Sequence, residues 1–142
     1  MVLTQLSVKL TNKPGELSSI SDIMGDEGIN IKALSVAVHG EDAQVHLVVD
    51  DTKKAIEVFK SRDYQVAERE VLAVETPDHP GGLNAILRPL KEAGVNVEFL
   101  YPAIGKHQMK AVLILGPEPV EDAMTALHKY YIKVLDKELF GL

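Results

Sequence analysis

The stretch DHPGGLNAILRPLKEAGVNVEFL, Asp78 to Leu100, decides the fold, because the chain writes it twice. NKPGELSSISDIMGDEGINIKAL, Asn12 to Leu34, aligns with it without a gap at an offset of 78 − 12 = 66 residues. Pro14, Gly15 and Leu17 match Pro80, Gly81 and Leu83, and Ile20 matches Ile86. Gly28 and Asn30 match Gly94 and Asn96, and Leu34 matches Leu100. Upstream, Leu6 and Val8 match Leu72 and Val74. Chance rarely keeps Pro, Gly and Asn together in one register, so the chain reads as a duplicated unit, residues 1–69 and 70–142.

Both copies parse alike. Val2 to Leu10 alternates in the manner of a strand. Asn12 is placed to cap a helix, with Pro14 in its first turn and Glu16 near the positive end of its dipole. Leu17, Ile20, Ile23 and Met24 fall on one helical face, and Gly28 stops the helix. Strands over Ile29–Val38 and Ala43–Val49 flank a turn at 39–42. Asp51 caps a second helix with Ala55, Ile56 and Phe59 inward, and a closing strand starts at Gln65. In the second copy, Val71–Thr76 is a strand and residues 80–93 a helix burying Leu83, Ile86, Leu87 and Leu90. Pro89 within it predicts a bend or a distorted turn. Val95–Ala103 and Met109–Leu115 form a hairpin around Gly105. Pro117–Tyr130 is a helix with Val120, Ala123, Met124 and Leu127 on one side, and Ile132–Phe140 closes the unit.

The same offset places the first closing strand near 131 − 66 = 65, while the second copy opens by 68–71. Residues 65–76 are therefore expected to be one long strand, or two with a sharp bend, and the copies to act as one rigid platform. Strand–helix–strand–strand–helix–strand order gives an α+β fold, with antiparallel sheets and helices on one face. Uncovered sheet edges invite association, so a homodimer is expected.

Composition narrows the function. The hydrophobic share of 46% supports a packed core, and charged residues at 25% are ordinary for a globular chain. A net charge of −6 disfavours nucleic acid, which needs a basic face. With aromatics at 5%, an RNA-recognition module of the same element order is set aside. The lack of cysteine removes disulfides, thiolate nucleophiles and thiolate metal sites. No apolar run approaches the roughly 20 residues that span a bilayer, and MVLTQLSVKL lacks the pattern of a signal peptide. A cytoplasmic protein without membrane contact is expected.

The histidines His39, His46, His79, His107 and His128 lack ligand spacing, so neither a metal nor a cofactor is expected. Tyr130, Tyr131 and Phe140 read as core or interface. Glu41-Asp42, Asp50-Asp51 and Glu121-Asp122 read as turns and caps rather than an acid/base pair. No nucleophile elbow or phosphate loop is present, so the chain is not expected to be an enzyme.

D/N-x-P-G-x-L opening a helix, followed by G-[IV]-N-[IV] opening a strand, resembles the ACT domain family. The resemblance covers both copies. VETPDHPGGL, GVNVEFLY and the terminal ELFGL resemble the stand-alone tandem-ACT proteins. That resemblance implies two ferredoxin-like βαββαβ repeats and a ligand, typically an amino acid, at an interface between paired ACT units. The loop after strand one would there face the second strand of a neighbour.

Physical chemistry supports such loops. Gly15 and Gly81 permit close backbone approach at a helix N-terminus, where N–H groups favour a carboxylate. Pro14, Leu17, Pro80 and Leu83 complete the two motifs. Asn12 and Asp78 can orient the loop or bind an ammonium, and Asn30 and Asn96 offer donors and acceptors. Ile31, Val97 and Tyr101 can wall a side-chain pocket. Glu16 would crowd a carboxylate where the second copy has Gly82, so the Gly81-Gly82 loop, with His79 inside it, is the favoured site. The expected role is a sensor that reports an amino acid to a regulated enzyme. The alternative is an adaptor that binds a metabolic enzyme without a ligand of its own.

Overall fold

A computed structural model describes residues 2–105, 110–138 and 140–141. The chain divides into two compact units, Thr4–Arg69 and Glu70–Gly141, the latter also taking in the start of the chain through Leu3, the first residue of the opening strand.

The first unit contains β1 (Leu3–Thr11), α1 (Glu16–Asp26), β2 (Ile31–His39), β3 (Asp42–Val49) and α2 (Thr52–Ser61). β3 lies between β2 and β1, antiparallel to both, with Leu47 opposite Leu34 and Leu6. Alternation turns Leu6, Val8, Val45, Leu47 and Val49 to one face. There they pack against Ile20, Ile23 and Met24 of α1 and Ala55 and Phe59 of α2. Asp51 caps α2, its carboxylate accepting the Lys54 N–H at 3.1 Å. β4 (Val66–Pro77) is one strand of 12 residues.

The second unit uses the 70–77 part of β4 with α3 (Asn84–Glu92), β5 (Asn96–Pro102), β6 (Lys110–Glu118), α4 (Val120–Lys129) and β7 (Val134–Leu135). β6 pairs antiparallel with β5 and β4, and β7 pairs with the far side of β4. Leu72, Val74, Leu113 and Leu115 pack against Ile86 and Leu90 of α3 and Ala123 and Leu127 of α4. Each unit is thus α+β, with an antiparallel sheet and its helices on one face.

Several sequence expectations are corrected. Asn12 does not cap α1: its amide donates to the Gly40 carbonyl at 3.0 Å, and α1 starts only after Gly15. Pro14 therefore precedes the helix. Leu17 and Leu83 stand outside the core, 43% and 42% exposed, because each sits where the chain is just turning into its helix. α4 begins at Val120, since Pro117 and Glu118 extend β6. The closing strand shrinks to two residues, followed by turns. Pro89 lies inside α3 and is buried on its core side. Of the three aromatics expected in the core or at an interface, Phe140 is buried in the core, while Tyr130 and Tyr131 lie outside it. The turn beyond Gly105, with His107 and Met109, falls outside the described residues.

Candidate functional site

The first loop is tied down from both ends. The Asn12 N–H donates to Glu41 at 2.7 Å, pinning the loop to the β2–β3 turn. Gly15 then takes φ +89°, a left-handed conformation that suits glycine, and nothing lies within 4 Å of where its Cβ would be. Its carbonyl accepts both the Ser19 N–H and the Ser19 hydroxyl at 2.9 Å. Among the described residues, no partner takes the main-chain N–H of Gly15, Leu17 or Ser18. These are the orphan donors of a helix start, beside a glycine that leaves room. Glu16 turns toward Lys13, with Nζ 3.7 Å from its carboxylate. Asn30 is fixed by Asp50, which accepts its N–H at 2.9 Å and donates back at 3.1 Å, leaving the Asn30 amide exposed at the start of β2. Ile31 is half-buried against the core.

The second loop uses its donors differently. Gly81 repeats the left-handed turn with φ +83°. The N–H groups of Asn84, Ala85 and Ile86 then bond the carbonyls of Gly81, Gly82 and Leu83, each at 3.1 Å, in tight i→i+3 turns. Gly82 donates to His79 at 2.9 Å and accepts the buried Thr76 hydroxyl at 2.7 Å. A Cβ on Gly82 would stand 2.0 Å from the Pro77 carbonyl oxygen. Glycine at 82 is therefore required by backbone packing and does not open an anion cradle. The expected advantage of this loop over the first does not follow from its glycine pair. His79 Nδ1 lies 2.9 Å from the Pro80 carbonyl.

The remaining expected residues are spread along β5. Asn96 is exposed at its start and Val97 half-buried against the core. Tyr101 is buried, its ring stacked with Phe99 at 6.2 Å between centroids, and burial pushes its phenol well above the ordinary range. Asp78 is exposed beside Pro80 and Gly81 in the loop.

Sequence reasoning missed a cleft of about 430 Å3 on the other flank of Asp78 and His79. Its further walls are Glu75, Lys110, Lys133 and Tyr131. Glu75 lies 3.4 Å from the Lys110 ammonium and 3.8 Å from that of Lys133. No sequence signal joins these residues, which come from separate elements.

Elsewhere, His46 shares its Nδ1 with the Ser7 hydroxyl at 2.9 Å and the Gln5 amide at 3.1 Å. Burial, and then the Arg69 charge, lower its pKa below the usual imidazole value. Among the described residues, no group of three or more His, Asp or Glu is placed to hold a metal, and no helix is long and apolar enough to cross a membrane.

No curated protein matches the sequence. Among solved structures, a protein of Bacteroides thetaiotaomicron is similar at 27% identity and a TM-score of 0.92, over 100% of this chain and 98% of that one. The ligand-free regulatory subunit of aspartate kinase from Thermus thermophilus shares the fold at 17% identity and a TM-score of 0.65, over 90% and 91% of the two chains. The corresponding subunit from Thermus flavus does so at 16% and 0.62, over 90% and 92%. The family model of the ACT domain pair matches residues 1–139, and the chain belongs to that family.

Proposed function

We propose that the protein is a regulatory module that binds a small molecule, an amino acid, at the loops opening α1 and α3, and reports occupancy to a separate enzyme. One ACT repeat spans residues 1–69 and the other 70–142. The observation that carries this reading is the start of α1. Three N–H donors that have no partner among the described residues stand at a helix N-terminus beside a left-handed glycine, an arrangement suited to an α-carboxylate. Asn12, Pro14 and Leu17 frame that site, with Asn30 and Ile31 on the strand that follows. Asp78, His79, Pro80, Gly81, Gly82 and Leu83, with Asn96, Val97 and Tyr101, form its counterpart in the second repeat.

The module has no catalysis of its own and acts in the cytoplasm as a homodimer. Among the described residues, β2 has a strand neighbour on one side only, and Val36 and Val38 on it are 42% and 52% exposed, an edge suited to a second copy.

Thermal denaturation with each of the 20 standard amino acids at millimolar concentration is the test. A ligand at a hundred times its Kd stabilises by about 2.7 kcal/mol, a shift of several degrees. If none of them raises the Tm, amino-acid sensing is wrong. If a metabolic enzyme then co-purifies, and Gly81→Asp leaves that association intact, the protein is an adaptor without a ligand.

A further inference from the structure

We propose that the cleft beside β4 is a zwitterion site, in which an amino-acid carboxylate bridges Lys110 and Lys133 while its ammonium meets Glu75 and Asp78, under the ring of Tyr131. This rests on the reading of the chain as an amino-acid binder, but places a ligand on the other flank of the α3-opening loop, with Asp78 shared between the two.

The two repeats supply an internal control. In the first, Lys9 donates to the Gln65 carbonyl at 3.1 Å; in the second, Glu75 donates to Lys133 at 3.2 Å. Thr11 pairs with Asp42 across its ladder, and Pro77 pairs with Lys110. The second helix of each repeat ends in a left-handed residue, Asp63 at φ 64° and Tyr131 at φ 59°. The backbone is thus the same, while Lys9, Asp42, Gln65 and Asp63 are replaced by Glu75, Lys110, Lys133 and Tyr131. The first repeat builds this corner without those side chains, so folding alone does not demand them.

Tyr131 sharpens the point. Aspartate tolerates the left-handed region, whereas a bulky aromatic residue there is an outlier. Yet Tyr131 is 95% exposed and gains no packing from its position. Strain held at a fully exposed aromatic ring on the rim of a cleft is accounted for by something that the ring covers.

Charge selects the ligand class. Lys110 and Lys133 balance Glu75 and Asp78, so the cleft is formally neutral and a dianion such as phosphate would unbalance it. A zwitterion leaves it neutral and satisfies both signs. The ammonium groups stand 3.4 and 3.8 Å from Glu75, longer than the roughly 2.7–2.9 Å of a close charged hydrogen bond. Both lysines are more than half exposed. Glu75 alone thus leaves each lysine underused, and a second carboxylate completes both.

The test uses the full chain. The 20 L-amino acids are titrated by calorimetry, with the side-chain NMR signals of Lys110 and Lys133 followed in parallel. The best binder is then compared with its amide and its 2-oxo acid. Both lysine signals should shift at saturation, each analogue should bind at least tenfold more weakly, and Lys110→Gln with Lys133→Gln should lose at least tenfold. Tyr131→Asp, the residue of the first repeat, should also weaken binding. These side chains are exposed, and circular dichroism checks that the variants fold. If an amino acid binds while the lysine signals stay still and the double variant binds like the wild type, the cleft proposal fails and the regulatory reading survives. Inorganic phosphate binding there in preference to any amino acid overturns it as well. If no amino acid binds at all, both fall together.

Discussion

Gly82→Ala places a methyl group where the Pro77 carbonyl oxygen already lies. The added Cβ would sit 2.0 Å from that oxygen and 3.1 Å from the His79 oxygen. Both obstacles are backbone, so relief requires the loop to move by more than 1 Å, roughly the shortfall from an ordinary carbon–oxygen contact. Overpacking of this kind costs about 1–3 kcal/mol. Moving the loop also pulls Gly82 away from the Thr76 hydroxyl, a buried bond of 2.7 Å, at a further ~1–2 kcal/mol. The expected loss is about 2–5 kcal/mol, a large part of the roughly 5–15 kcal/mol that stabilises a typical domain. Gly81→Ala is the comparison. Its Cβ meets nothing within 4 Å, and only the positive φ of 83° opposes it, at about 1–2 kcal/mol. Urea denaturation of both variants measures the difference from the midpoints at constant m-value. Gly82→Ala must be the worse, although Gly81 is the residue with the unusual backbone angle. If Gly82→Ala is equal to or milder than Gly81→Ala, close approach is not the reason for the second glycine, and its place in an open ligand cradle regains force.

Tyr131→Gly relieves a left-handed backbone at no packing cost and should raise stability by about 1 kcal/mol in the same assay; no gain would mean that the tyrosine ring makes contacts that offset its strain. His46 is depressed by burial and by Arg69, so between its folded value and the ordinary 6.5 the unfolded chain binds the extra proton. Stability should therefore fall as pH drops from 7 through that window, His46→Gln should flatten the slope, and an NMR titration of His46 at or above 6.5 would contradict this.

How much of this was legible in the sequence depends on the kind of information required. The helical period correctly sent Ile20, Ile23 and Met24 inward, and the repeat correctly carried that pattern to Ile86 and Leu90. The same period erred at Leu17 and Leu83 by nearly equal amounts, because it does not say where the first turn starts. α1 starts directly after the left-handed Gly15 and α3 after the tight turns that follow Gly81, and Asn12 caps neither, its side chain having found the Gly40 carbonyl instead. Gly82 looked like room for a ligand because sequence shows a missing side chain and not the carbonyl that fills its place.

The cleft was illegible for a more specific reason. The gapless offset of 66 holds from β1 to β2, where Leu34 matches Leu100. Beyond the hairpin the ladders give a different number. Pro77 pairs with Lys110 where Thr11 pairs with Asp42, and 110 − 42 = 68. The helix ends agree, since 131 − 63 = 68, and so do the matched carbonyls, since 133 − 65 = 68. The second hairpin is two residues longer, so a fixed offset compares Lys110 with Gln44 and Tyr131 with Gln65. Shifting by an even number preserves which face each strand residue occupies, so the core pattern survives the error undetected. The site residues do not survive it, because their meaning lies in which side chain replaces which. Only with the ladder register does Lys110 stand for an aspartate and Tyr131 for a residue suited to its backbone, and those two exchanges set the second repeat's cleft apart from the corresponding corner of the first.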